Sequence, residues 1–462
     1  MKWPAKVKPL PWFFGLLAAV IACAVAAHLS PSQVLAVTIF AGFILGTLFY
    51  WQFRLAFALT GITALLATRL LDIPHLIEFA NLEIILFVIA MMIVIGFLEE
   101  RKFFETLMEK LLDRVSHRAA FFFPVMMALS MLTAALVDEV TSILFMTSLT
   151  LHLTRKLKLD PFPFIVMIVL ATNIGSSATV VGNPIGVLIA MRAGLAFGDF
   201  LRWAMPISLA CLVLAIGICM LYYRGPLRQM AAGISKNREK AIEQTHTTRR
   251  EFRLSGIIFL LTILGLILHH AAEHRLGLEK NTLLLGFPFL MAGICLFIEG
   301  EKSRHLVEKR VDWWTLAFFL LLFASVGTLR YVGVTDRIAG GLKAVAGANP
   351  ALLLGLVLVI SGTLTAVLDN ILVVATFIPI VADLAATGTA VGGLWWALLF
   401  GGTLGGNATM IGSTANIVAI GMLEKENHPV RFSRWLGPGL AVTIPTLALA
   451  FLLLLFQLPL LR

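Results

Sequence analysis

Residues 173–184 read NIGSSATVVGNP and residues 405–416 read GGNATMIGSTAN; each stretch interrupts a long apolar run with Gly, Ser, Thr and Asn. The likeness extends outward from both. Asp138 falls on Asp369, Ala178-Thr179 on Ala408-Thr409, Gly182 on Gly412, and Phe200-x-Arg202-Trp203-x-x-Pro206 on Phe432-x-Arg434-Trp435-x-x-Pro438. Each copy places an acid inside apolar sequence and follows it with a broken apolar segment. Duplicated membrane halves with interrupted helices are the mark of a secondary transporter.

Composition agrees with that class. With 59% hydrophobic and 13% charged residues over 462 positions, the chain reads as a polytopic membrane protein without a soluble domain. The net charge of +10 lies in short blocks between apolar runs. Lipid headgroups and cytoplasmic retention account for such blocks, so no nucleic-acid partner is expected. Cys23, Cys211, Cys219 and Cys295 sit inside apolar segments without ligand spacing, which implies neither a disulfide frame nor a metal site. Lys2, Lys6 and Lys8 precede an apolar run in the charge order of a signal peptide, but a further span follows at once, which favours an uncleaved first helix.

Orienting spans by Lys and Arg places the N-terminus in the cytoplasm, with a bacterial inner membrane as the expected location. Spans are predicted near 12–29, 33–51, 55–71 and 82–98, followed by an interfacial amphipathic helix from Arg101 to Arg118. Residues 119–154 are mostly apolar yet flanked by positive charge at both ends, Arg114 and Arg118 before, Arg155, Lys156 and Lys158 after. A re-entrant hairpin turning at Asp138-Glu139 meets both constraints, because non-helical backbone at membrane depth is tolerated where it lines a cavity. A broken span over 161–190 and a span over 204–223 complete the first half. The linker 224–253 is basic and cytoplasmic. In the second half, spans near 254–271, 282–299 and 312–330 precede a hairpin over 351–386 turning at Asp369-Asn370, a broken span over 393–423 and a last helix over 437–458. The second hairpin enters from outside, so the halves are inverted.

The expected architecture is therefore an all-α polytopic membrane protein: an inverted repeat with about eleven transmembrane helices, two re-entrant hairpins and two broken helices. Its divisions are an N-terminal helix within 1–31, repeat 1 over 32–223, the linker 224–253 and repeat 2 over 254–462.

A carboxylate at mid-bilayer costs roughly 2.5–3.5 kcal/mol even on lenient scales, so Asp138, Glu139 and Asp369 need a polar cavity or partners. The structural alternative is an acid hydrogen-bonded to freed backbone amides at a hairpin tip. Beside the tips, the breaks supply Thr172, Asn173, Ser176, Ser177, Thr179 and Asn183 in one half and Asn407, Thr409, Ser413, Thr414 and Asn416 in the other; Thr141 and Asn370 adjoin the acids. Helix halves ending in the membrane expose amides that favour anions and carbonyls that favour cations, so these residues are candidates for binding an anion and a coupling cation. Small residues also serve simple helix packing. Two like charges adjacent in a low dielectric compete to ionise, so the Asp138-Glu139 pair can hold a proton near neutral pH.

Leu368-Asp369-Asn370 and the two break motifs resemble the ion-transporter superfamily of arsenite permeases, sodium/proton antiporters, pink-eyed-dilution-type permeases and, more distantly, dicarboxylate and citrate carriers. The likeness is nearest to the arsenite and pink-eyed-dilution permeases and covers residues 55 to 458. It implies a scaffold against which a transport part bearing hairpins and broken helices moves to alternate access. Three departures stand out. Glu139 replaces the amide common at the first tip, Asn183 stands where an acid is common, and Gly186 where an Asn is common. The family's sodium sites therefore do not carry over simply to the first half.

The resulting expectation is a secondary transporter rather than an enzyme: a permease for arsenite or a similar small oxyacid or anion, driven by proton antiport, with Asp138, Glu139 and Asp369 as carriers. Arsenical resistance would follow from arsenite efflux. Sodium is the alternative coupling ion, and a sodium-coupled dicarboxylate or citrate carrier, a sodium/proton antiporter and a passive anion channel are the alternative functions. No cofactor or metal is implied; the absence of a G-x-x-x-x-G-K-[ST] run assigns any ATP hydrolysis to a separate ATPase subunit. A homodimer is compatible with the pattern. The trio His269, His270 and His274 reads as a polar cap, and Arg202-Trp203 and Arg434-Trp435 as anchors at the membrane interface.

Overall fold

Hydrophobic runs long enough to cross a bilayer can bury their backbone polarity only as helices or closed barrels. In a computed structural model, which describes residues 10–104, 106–107, 122–236 and 248–461, every regular element among the described residues is helical. Among the described residues seven helices are long and apolar enough to span a membrane, including Pro31–Phe49, Leu82–Glu100, Arg249–Leu276 and Trp313–Tyr331. Nineteen residues at about 1.5 Å per residue match the roughly 30 Å hydrocarbon thickness.

The chain packs as two units. The first comprises Met1–Leu86, Asp312–Ala348 and Ala375–Thr389. Its apolar core gathers Ala36, Ile62, Leu65, Leu71, Ala324 and Leu329. A capping box at Ser30 and Gln33 starts Pro31–Phe49, and Gln33 Nε2 also donates to the Val332 carbonyl at 3.0 Å. Asp383, 6% exposed, accepts from Arg330 Nε at 3.0 Å and from Thr335 Oγ1 at 2.6 Å. An acid within an apolar helix thus has a cation and a hydroxyl to meet it.

The second unit comprises Phe87–Val311, Asn349–Val374 and Ala390–Arg462. It holds the first hairpin, Phe122–Leu136 and Glu139–Leu157, and the first arm and tip of the second, formed by Pro350–Thr365 and the start of Asn370–Ala386. It also holds both broken helices. Phe162–Ser176 gives way to a short 3-10 turn at Val180–Gly182 and resumes as Pro184–Ala193. Gly392–Gly405 gives way to Gly406–Ala408 and resumes as Thr414–Lys425.

Several boundaries differ from expectation for local reasons. Arg249–Leu276 begins ahead of residue 254 because Thr248 and Glu251 form a capping box, in which the Thr248 hydroxyl accepts from Glu251 N. The last helix starts at Phe432, with Pro438 and Pro445 inside it. The basic linker begins as a helix, Arg224–Lys236, that buries Met230. The short helices Ile73–Phe79 and Val334–Ala346 were not anticipated. The proposed interfacial helix 101–118, apart from its first residues, lies outside the described residues, as do Lys2, Lys6 and Lys8. Within its described part, Arg101 pairs with Glu299 at 2.6 Å.

Candidate functional site

The first tip reverses the chain over two residues. Asp138 is the N-cap of Glu139–Leu157, its Oδ1 accepting from Val140 N at 2.7 Å and Thr141 N at 3.0 Å. Such a cap satisfies orphan amides and places negative charge at the positive end of the helix. Glu139, 2% exposed, directs its carboxyl toward Asn370 and Ser176, with Asp369 and Asp138 as neighbouring charges. Its Oε2 is buried without a hydrogen-bond partner.

The second tip is built on the same plan. Asp369 Oδ1 accepts from Ile371 N at 3.0 Å, and its Oδ2 accepts from Thr414 Oγ1 at 3.2 Å. Asn370 is buried beside it, Oδ1 accepting from Ile371 N at 2.9 Å.

Each break is tied to the adjoining hairpin arm by equivalent contacts. Thr179 Oγ1 donates to the Ala135 carbonyl and Thr409 Oγ1 to the Ala366 carbonyl, in both cases at the end of the arm where helical partners run out. A Cβ on Gly175 would lie 2.3 Å from the Met131 carbonyl oxygen, and one on Gly405 would lie 2.3 Å from that of Gly362. Glycine is required there because backbone meets backbone.

Between the breaks lies a closed group of amides. Asn416 Nδ2 donates to the carbonyls of Gly406 at 2.8 Å and Thr409 at 2.7 Å, and Asn407 Nδ2 to that of Leu170 at 3.4 Å. Both therefore present Oδ1 to Asn173, whose Nδ2 donates to Asn407 at 2.7 Å and to Asn416 at 2.8 Å. Ser413 Oγ completes the group by donating to Asn173 Oδ1 at 3.0 Å. Asn173, Asn407, Ser413 and Asn416 are almost wholly buried, and a buried network satisfied at every member is rigid.

The other candidates hold local structure. Asn183 caps Pro184–Ala193 through Gly186 N at 2.8 Å and donates to Ser176 Oγ at 2.9 Å. Ser177 bonds to Ser208 at 2.9 Å, and Thr172 to Ser130 at 2.9 Å. Thr141 contributes its backbone amide to Asp138.

Two expectations need correction. Trp435 is no interface anchor: it is fully buried, and its indole N–H donates to the Asn407 carbonyl at 3.2 Å. Its counterpart Trp203 is half-buried, with the Arg202 guanidinium 4.7 Å from its ring centroid. The repeated Phe-x-Arg-Trp motif hid this divergence; the Gly439 that lets the last helix approach the Asn407 carbonyl was the available signal. His269 is also buried rather than part of an exposed cap, its Nδ1 2.7 Å from the Leu266 carbonyl.

The chemistry available is acid-base and polar. Residues 135–141, 172–184, 366–371 and 405–416 contain no Lys, Arg or His, so carboxyls, amides and hydroxyls face one another without a fixed basic side chain from these segments. Among the described residues no group of three His, Cys, Asp or Glu has the geometry to hold a metal ion.

Comparison with known proteins gives a consistent picture. The citrate transporter family profile matches residues 40–401. A 46 kDa membrane protein of Mycobacterium leprae is 32% identical over 80% of this chain and 84% of its own length. The human P protein is 25% identical, covering 83% of this chain and 54% of that protein, in line with the resemblance to pink-eyed-dilution-type permeases. The Alcanivorax borkumensis YdaH transporter shares the fold, with a TM-score of 0.56 at 16% identity over 87% of this chain and 89% of that one.

Proposed function

The chain belongs to the citrate transporter family of membrane transporters, and from that premise we propose that it is a proton-coupled exchanger of a small, weakly acidic oxyacid of the arsenite kind, working by alternating access. The observation that carries this reading is Glu139: a buried acid at a hairpin tip, flanked by two further acids, with one carboxyl oxygen unpartnered. Asp138 and Asp369 already accept backbone or hydroxyl hydrogens, which favour their charged forms. Glu139 accepts from side chains rather than from helix-capping amides and keeps one oxygen unpartnered, and so is the carboxyl best placed to take up and release a proton as access alternates.

Substrate class follows from charge. With no basic side chain at the tips or breaks, a multiply charged anion would meet two carboxylates and only helix dipoles to offset them. A neutral oxyacid carrying hydroxyls meets acceptors and donors it can satisfy. The family's description favours a second reading, in which a carboxylate such as citrate is carried.

Purified protein in proteoliposomes, first without sodium and then with an imposed sodium gradient, separates the two. Under an imposed pH gradient, arsenite should accumulate on the acidic side. Movement of citrate but not arsenite would support the second reading, and flux that responds only to a sodium gradient would overturn the proton proposal.

A further inference from the structure

The amide group between the breaks is unequal in origin. Asn407 and Asn416 come from the second copy, where the first copy has Ser177 and Gly186. Asn173 comes from the first copy, where the second has Thr403. Thr403 donates to Leu399 in its own helix at 2.9 Å, whereas Asn173 reaches into the opposite repeat. One half thus supplies a pair of converging amide oxygens, and the other half fills the space between them.

The filling group has a defined polarity. Because the Asn416 and Asn407 nitrogens are committed to main-chain carbonyls, two Oδ1 atoms point at one atom, Asn173 Nδ2, at 2.7 and 2.8 Å. Oxygen dipoles converging on one buried point are the environment that hard cations select. Here the electropositive centre is an NH2 group, held in place because Ser413 donates to the other end of the same amide. A cation could enter only by displacing Asn173.

We propose that Asn173 is a specificity-determining residue: its carboxamide takes the position that a sodium ion would need between Asn407 and Asn416, and so keeps this transporter from binding sodium at the second break. The inference rests on the reading of the chain as an ion-coupled transporter. It accounts for how a chain with the second half's polar break intact is left to couple through its tip acids. Replacing the NH2 by oxygen turns a donor into a ligand and opens the position to a monovalent cation.

The test is binding alone, with neither substrate nor pH gradient, so its failure is distinct from failure of the proton-exchange reading. Purified full-length protein is unfolded thermally in NaCl and in choline chloride at equal ionic strength. The wild type should show the same midpoint in both salts, and Asn173→Asp should gain a saturable, sodium-specific rise of several degrees. Asn173→Ser, smaller and uncharged, is the second variant should the aspartate prevent folding, and a sodium-specific rise is expected there too. Sodium bound elsewhere would shift wild type and variants alike, so the reading is the excess over the wild type: no excess in either variant where both fold, or in the serine variant alone where the aspartate does not, overturns the proposal.

Discussion

Replacing Glu139 by Gln removes a titratable proton while keeping the shape of the side chain. If one proton exchanges for one substrate molecule, each pH unit contributes about 1.4 kcal/mol, which sustains roughly a tenfold concentration ratio. Glu139 is 2% exposed, and its Oε2 has no partner to lose, so the substitution leaves the first tip's cap at Asp138 intact. The amide nitrogen of Gln needs an acceptor; with Ser176 and Asn370 facing the position, the cost is bounded by that of one unsatisfied buried group, about 1–3 kcal/mol. The variant should therefore fold. In proteoliposomes under a one-unit pH gradient, with the membrane potential clamped at zero by potassium and valinomycin, wild-type protein should build close to a tenfold accumulation ratio on the acidic side. Glu139→Gln should build a ratio near one, while exchange of labelled for unlabelled substrate at equal pH continues. A variant that still accumulates substrate about tenfold would refute the assignment of the proton to Glu139.

Gly405→Ala should destabilise the protein by about 1–3 kcal/mol or more, because the added carbon meets backbone at Gly362. Gly421→Ala, in an open stretch of the helix Thr414–Lys425, should instead stabilise by up to about 1 kcal/mol; thermal unfolding compares the two. Trp435→Phe removes the donor to the Asn407 carbonyl and should lower thermal stability by an amount equivalent to about 1–3 kcal/mol, whereas Trp203→Phe should have little effect on the same measurement. Asp383→Asn leaves Arg330 half exposed to water and should cost about 1–3 kcal/mol in denaturant unfolding, with Arg330→Gln, which strands a buried carboxylate, costing at least as much.

The sequence announced the elements whose signals are local. An acid inside an apolar run has few tolerable places, so the turns at Asp138 and Asp369 were legible to the residue, and the Gly-, Asn- and Thr-rich stretches marked the breaks. Length and hydropathy located helices such as Thr282–Glu299 and Trp313–Tyr331 to within a residue of expectation. Pairings between distant residues were not legible. Nothing at Asn173 states that its partners lie 234 and 243 positions away, and nothing in a repeated Arg-Trp pair states that one Trp is buried and the other is not. Helices as short as Ile73–Phe79 escape hydropathy because seven residues fall far below the length of a span.

At Gly175 against Met131 and at Gly405 against Gly362, hairpin arm and broken helix meet backbone to backbone. Meshed backbones cannot slip by small increments, so if access alternates each tip and its break would travel as one casting. Selectivity in such a machine is then free to drift at the acids and hydroxyls that line it, while the glycines that form its seams are frozen. A saturation mutagenesis map should show that contrast as two narrow intolerant bands, one in each half, beside neighbours that accept change.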